Sequence, residues 1–185
     1  MSGIRKPKKI AVFISGQGST LQALLEFQHQ FDIQLIVTNK KNALGALKAK
    51  RFGKRTLFFS AKQSFDELSI LLKKYKIDFI FLAGFMKILP EGFVKDWDRK
   101  IFNIHPSLLP QFPGLHSIEK NYHAKFDMGV TIHNVNDKMD EGKIFLQQPA
   151  VLKSKLEKID LADASYFVRR TEQHLLREFA IRRAV

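Results

Sequence analysis

The chain has 185 residues, 45% of them hydrophobic and 26% charged, a length at which a core can be buried without disulfides or metal. It contains no cysteine, which excludes a disulfide framework, a thiolate zinc site and a cysteine nucleophile and suits a cytoplasmic protein. The formal net charge of +13 reads first as a solvated basic surface and second as attraction of anionic small substrates; the basic residues look scattered, so no nucleic-acid partner is expected.

The N-terminal "MSGIRKPKKIAVFISG" is basic and then apolar, but "IAVFI" is too short for a signal peptide and runs into a turn. No stretch approaches the roughly 18 to 20 apolar residues of a membrane span. "KIAVFIS" predicts a strand that stops at Gly16, and "TLQALLEF" predicts a helix, with Leu21, Leu24 and Leu25 on one face. "DIQLIVTN" reads as a second strand, "NALGALKAKRF" as a short helix and "RTLFFS" as a third strand. In "SFDELSILLKKY" the residues Phe65, Leu68, Leu71, Leu72 and Tyr75 share a helical face behind an N-cap at Ser64. "DFIFLAG" is a fourth strand, apolar on both faces, as parallel sheets covered by helices require. Beyond it, "KIFNIH", "GVTIHNV" and "KIFLQQPAV" read as strands, the last two around the turn "NDKMDEG", and the chain from about Leu161 reads as helix. The expected class is α/β, a mostly parallel twisted sheet flanked by helices, in one domain over residues 1–185.

Two stretches carry candidate chemistry. "SGQGST", Ser15 to Thr20, lies between a strand and a helix, where glycines expose amides at a helix N-terminus; it suits either a phosphate or a plain turn. It lacks the lysine of a P-loop and the third glycine of a dinucleotide fingerprint. "NIHPSLLPQFPGLH" places Asn103 and His105 two apart, on one side of an extended segment, before a loop stiffened by Pro106, Pro110 and Pro113. His133, inside an apolar strand, reads as a core histidine, and Asp140 lies in the turn "MDEG". The six histidines are dispersed with no H-E-x-x-H, so no metal is expected, and no G-x-S-x-G elbow is present. An asparagine, a histidine and an aspartate without a protein nucleophile suit direct attack of a substrate amine on a carbonyl.

In order, "FISGQGSTLQALL", "LAGFMKILPEGFV", "NIHPSLLPQFPGLH", "GVTIHNVNDKMDEG" and "FLQ" resemble the phosphoribosylglycinamide (glycinamide ribonucleotide) formyltransferases, over about residues 8 to 148. The resemblance implies a Rossmann-like formyltransferase fold and transfer of a formyl group from 10-formyltetrahydrofolate, as co-substrate, to the amine of glycinamide ribonucleotide. It implies Asn103, His105 and Asp140 as the catalytic trio and Gly18, Ser19 and Thr20 as the phosphate loop. Lys62, Phe85, Met86, Lys87, Ile88, Leu89, Phe93 and Val94 correspond to folate-binding positions. Gly84, Ile104, Pro106, Glu172 and Gln173 correspond to substrate-binding positions. The implied partners are small molecules, with no membrane; the oligomeric state is left open.

The sequence departs from the family pattern at several of these places. Thr20 stands where asparagine is usual, Lys62 and Lys87 where arginines are usual, and Lys143 where a proline follows the glycine of the aspartate turn. Gln173 takes the usual glutamate position, with Glu172 beside it as the other candidate for the sugar hydroxyls. Formyltransferases acting on methionyl-tRNA or on nucleotide-linked amino sugars share the trio without this phosphate loop and form one alternative. A non-catalytic basic RNA-binding module is another.

Overall fold

The structure, a computed structural model, describes residues 6–27 and 30–184. Residues 1–5, at the start of the basic N-terminal stretch, lie outside the described residues. The elements run β1 (Lys8–Ile14), α1 (Ser19–Glu26), β2 (Phe31–Thr38), α2 (Leu44–Arg51), β3 (Thr56–Phe58), α3 (Phe65–Lys74), β4 (Phe79–Leu82), α4 (Glu91–Asp96) and β5 (Ile101–His105). They continue through α5 (Ser117–Ala124), β6 (Met128–Asn134), β7 (Ile144–Val151) and α6 (Leu161–Ala184).

The seven strands form one sheet in the order β3-β2-β1-β4-β5-β6-β7. The first five are mutually parallel, and β6 and β7 each run antiparallel to the preceding strand, which bears out the mostly parallel α/β expectation. Strand alternation divides the core between the two faces. Ile10, Val12 and Ile14 of β1 join one cluster with α1 and α6, whereas Ala11 and Phe13 join the other with α3 and α4. Phe179 of α6 packs among Phe31, Phe79, Phe81, Phe102 and Phe145, so this long helix is anchored by aromatic contacts to most of the sheet.

The N-cap expected at Ser64 is present as a capping box: the Glu67 N–H donates to the Ser64 hydroxyl at 3.1 Å and the Ser64 N–H to the Glu67 carboxylate at 3.1 Å. Two helices were not legible beforehand. The six residues of α4 follow Pro90, and α5 starts after His116, whose φ of 59° is left-handed; neither has a side-chain cap to mark its start.

The strand order reverses between β1 and β4, and the loops leaving their carboxyl ends meet there. In open α/β sheets such a switch point leaves a crevice for ligands. The Ser15 N–H donates to the Gly84 carbonyl at 3.1 Å across it.

Candidate active site

Extended β5 sets Asn103 and His105 on one side of the sheet, while Ile104, 9% exposed, points into the core on the other. A ligand could therefore reach only the backbone of Ile104. Antiparallel pairing then aligns β6, with Asn103 opposite His133 and His105 opposite Thr131. Asp140 arrives from the turn after β6 with φ 56°, a left-handed conformation that aspartate tolerates better than most residues. That turn is pinned at its base: the Asn134 N–H donates to the Lys143 carbonyl at 2.9 Å, and a Cβ on Gly142 would lie 1.6 Å from the Asn134 carbonyl oxygen. With Lys143 where a proline is usual in the family, the turn is still tightly closed.

These elements gather one cluster. His105 Nδ1 lies 3.3 Å from Asp140 Oδ2, and His133 Nε2 lies 3.4 Å from Asp140 Oδ1. Asn103 Nδ2 is 3.3 Å from Asp140 Oδ1 and 3.2 Å from His133 Nε2. The Gly114 N–H donates to Asp140 Oδ2 at 2.8 Å, so the proline-rich loop closes onto the same carboxylate. His105 Nε2 lies 2.9 Å from the Phe112 carbonyl oxygen. Burial alone would raise the Asp140 pKa, but the His133 contact, the Gly114 N–H and the positive charges at His105 and His133 outweigh it and lower it to about 2. His133 is buried, as a core histidine should be, yet it also holds Asp140, and only the β5–β6 register reveals that.

The loop beyond His105 is braced from behind. Thr131 donates its hydroxyl to the Ser107 carbonyl at 2.7 Å and accepts the Leu109 N–H at 3.2 Å, and Gln147 Nε2 donates to the Leu109 carbonyl at 2.9 Å. Pro106 is half-buried within this loop.

At the other side of the crevice, Gly18 is the left-handed N-cap of α1, with φ 69°. Among the described residues no backbone carbonyl takes the N–H groups of Gly18, Ser19 or Thr20. These donors at a helix N-terminus are what an anion requires. A Cβ on Gly18 would lie 2.5 Å from Gly45 Cα, so this glycine also allows α1 and α2 to approach. Lys48 reaches the loop without having been singled out in the sequence, and Ser15, the first residue of the loop, makes bonds that the sequence did not show. Lys48 Nζ lies 3.5 Å from the Gly18 carbonyl, and Ser15 donates its hydroxyl to Asn39 Oδ1 at 2.7 Å while accepting the Met86 N–H at 2.7 Å. Ser15 thereby joins the phosphate-loop segment to the segment after β4.

Thr20 donates its hydroxyl to the Glu172 carboxylate of α6. Burial raises the Glu172 pKa, against the opposing effects of this bond and of Arg169. Gln173 is exposed, so it is Glu172 that meets the loop.

The positions matched to a folate pocket are placed unevenly. Met86 and Ile88 are 67% and 80% exposed beside the crevice, while Gly84 turns the chain there with φ 73°. Phe85 packs edge-on against Phe13, and Leu89 packs on the same core cluster. Lys87 Nζ stands 4.8 Å from the Phe59 ring centre and 4.9 Å from that of Phe65. Phe93 and Val94 are buried on α4: Phe93 packs in the core against Phe65 and Phe13, and Val94 borders a surface pocket with Val135 and Asp137. Lys62 is exposed before α3, and among the described residues no hydrogen bond or ion pair draws it toward the crevice. No group of three or more metal-ligating side chains is gathered among the described residues.

The formyl transferase family model matches residues 8–173. Phosphoribosylglycinamide formyltransferase of Haemophilus influenzae is 38% identical, over 76% of this chain and 71% of its own length. The trifunctional purine biosynthetic protein adenosine-3 of Drosophila melanogaster is also 38% identical over 77% of this chain, which spans only 12% of that longer protein. Among solved structures, phosphoribosylglycinamide formyltransferase of Anaplasma phagocytophilum superposes with a TM-score of 0.84 at 36% identity, covering 91% of this chain and 82% of its own. The Streptococcus pneumoniae enzyme does so with a TM-score of 0.83 at 33% identity, covering 92% and 96%.

Proposed function

Because the chain belongs to the formyl transferase family, we propose that it transfers the formyl group of 10-formyltetrahydrofolate to the amine of glycinamide ribonucleotide, a step of purine biosynthesis. The observation that carries this reading is the meeting of Asn103, His105 and His133 on one Asp140 carboxylate beside the open N-terminus of α1. The α1 amides receive the substrate phosphate, with Lys48 adding positive charge, and Glu172 reads the sugar hydroxyls. The folate enters past Met86 and Ile88. The substrate amine attacks the formyl carbon, a C–N bond forms, and the carbonyl π electrons move onto oxygen. His105 and the Asn103 amide stabilise that oxyanion. Asp140 holds one nitrogen of His105, so the nitrogen now facing Phe112 is the one that turns to the formyl oxygen. Collapse breaks the bond to the folate nitrogen, which takes up the proton given off by the attacking amine.

The chain is read as one such domain over residues 1–185, acting in the cytoplasm. No helix among the described residues is long and apolar enough to cross a membrane. An assay of the purified protein with glycinamide ribonucleotide and 10-formyltetrahydrofolate, following the folate absorbance change, tests the reading. Turnover that requires both substrates supports it, and an unchanged absorbance overturns it.

A further inference from the structure

The basic residues that read as scattered in the sequence are gathered by the fold. Residues 40–62 hold eight lysines and arginines and no aspartate or glutamate. Because β2, α2 and β3 form a parallel crossover, α2 runs back down the sheet, about 12 Å over its eight residues. Its C-terminal end therefore lies at the foot of the edge strand β3, at the end of the sheet opposite the carboxyl ends where the candidate active site lies. The end of α3 reaches the same corner: Arg55 Nη1 donates to the Tyr75 hydroxyl, and the Arg55 guanidinium stands 5.3 Å from the Tyr75 ring centre. Lys50, Arg51, Lys54, Arg55, Lys74 and Lys76 surround this corner, and among the described residues none of them forms an ion pair. Beside them Phe52 is 40% exposed and Tyr75 is half-buried.

Neither of two simpler explanations is large enough. Cations at helix C-termini complement the macrodipole, but two helix ends carry only about one negative charge between them, against six positive side chains. Steering of the enzyme's own substrates fails on distance. The phosphate loop follows β1, two strands or about 10 Å across the sheet from β3, and the corner lies at the opposite end of α2, about 12 Å further along, so even the nearest part of the site is separated from it by more than the roughly 8 Å over which salt screens charges. Of the acids at the foot of the sheet, Asp32 and Asp78 sit beside Lys9 of β1, Asp32 as its register partner and Asp78 accepting its N–H at 2.7 Å, while Glu26 accepts from Gln22 and Asp98 pairs with Arg99.

We propose that this corner, formed by the end of α2, the start of β3 and the end of α3, is a docking surface for single-stranded nucleic acid. The six unneutralised cations follow a phosphate backbone, and Phe52, 40% exposed, offers a ring on which an unpaired base stacks, while the Tyr75 ring, covered by Arg55, holds that guanidinium in place. A duplex keeps its base faces covered and uses only the charge. An acidic peptide uses the charge but not the ring.

The test is fluorescence anisotropy of the full chain with a fluorescein-labelled oligouridylate of about 20 nucleotides, starting at low salt, about 50 mM. Saturable binding is expected, with a log–log salt slope near −4, from about 0.7 per phosphate over six contacts. The triple variant Lys50→Glu, Arg51→Glu, Lys54→Glu weakens binding at least tenfold, and Phe52→Ala weakens it at least about fivefold. Circular dichroism of each variant matches the wild type, and formyl transfer, measured separately, is unchanged, so failure here is distinct from failure of the proposed activity. Absence of saturable binding, or full binding by the triple variant, overturns the proposal. So does displacement by polyglutamate as effective as by unlabelled oligouridylate with no effect of Phe52→Ala, which assigns the corner to an acidic protein partner.

Discussion

The hydroxyl of Thr20 donates to the carboxylate of Glu172, joining the first turn of α1 to a helix that lies 152 residues further along the chain. Neighbouring residues on a helix point about 100° apart, so the face of α6 that presents Glu172 to the phosphate loop turns Gln173 to solvent. If Glu172 accepts from the sugar hydroxyls, Glu172→Gln weakens a charge-assisted bond by about 1 kcal/mol and raises KM for the ribonucleotide roughly fivefold, with KM for the folate unchanged. Gln173→Glu then leaves both constants within about twofold. The opposite pattern would mean that α6 is rotated by one position.

Asp140 makes a pH-dependent contribution to stability. Its carboxyl has a pKa of about 2 in the fold against 3.8 when unperturbed, a difference of roughly 2 kcal/mol. A depressed carboxyl pKa stabilises the fold fully above about pH 4 and loses that contribution as pH falls toward 2. Urea unfolding of Asp140→Asn is therefore expected to show about 2 kcal/mol less stability than wild type at pH 7, with the gap narrowing below pH 4. A gap of constant size across that range would place the loss elsewhere than in the charge.

His133 acts through Asp140 rather than on the reacting atoms, since its Nδ1 is taken up by the Asn134 carbonyl oxygen at 2.8 Å. His133→Asn is expected to lower kcat roughly tenfold or more, a range typical of groups that set an acid–base partner, and to shift the acid limb of the pH–rate profile. KM for each substrate stays within about threefold. A change confined to KM, with kcat and the pH profile unmoved, would exclude the positioning role.

Gly142 keeps the aspartate turn closed. An added Cβ overlaps the Asn134 carbonyl oxygen, a backbone atom that cannot swing aside, so Gly142→Ala is expected to cost about 3 kcal/mol and to lower activity with it. Lys143→Pro, by contrast, leaves the Lys143 carbonyl available to the Asn134 N–H, and stability should stay within about 0.5 kcal/mol of wild type. An Ala variant as stable as wild type in urea would show that the turn opens freely.

Much of this was legible in the sequence because the first half obeys simple periods. The β-branched and aromatic run of β1, the leucines of α1 and the box at Ser64 each report their element locally, and the i, i+2 spacing of Asn103 and His105 sets them on one side. What escaped depends on contacts distant along the chain. His133 joins the site only through the antiparallel register with β5, and Ser15 matters because Met86 and Asn39 converge on its hydroxyl. Phe93 and Val94 belong to a family motif, yet the short helix α4 turns them into the core side of that segment. The basic corner was missed because Lys74 and Lys76 join the run from Lys50 to Arg55 only where α2 and α3, packed on opposite faces, end at the same end of the sheet.

The most direct measurement is the turnover of His105→Ala compared with wild type, with both substrates saturating and folding verified by circular dichroism. If His105, held by Asp140, stabilises the oxyanion, kcat falls by a factor on the order of 10² or more while the two KM values change little. A variant that turns over within about threefold of wild type contradicts the assignment of the transfer to this cluster.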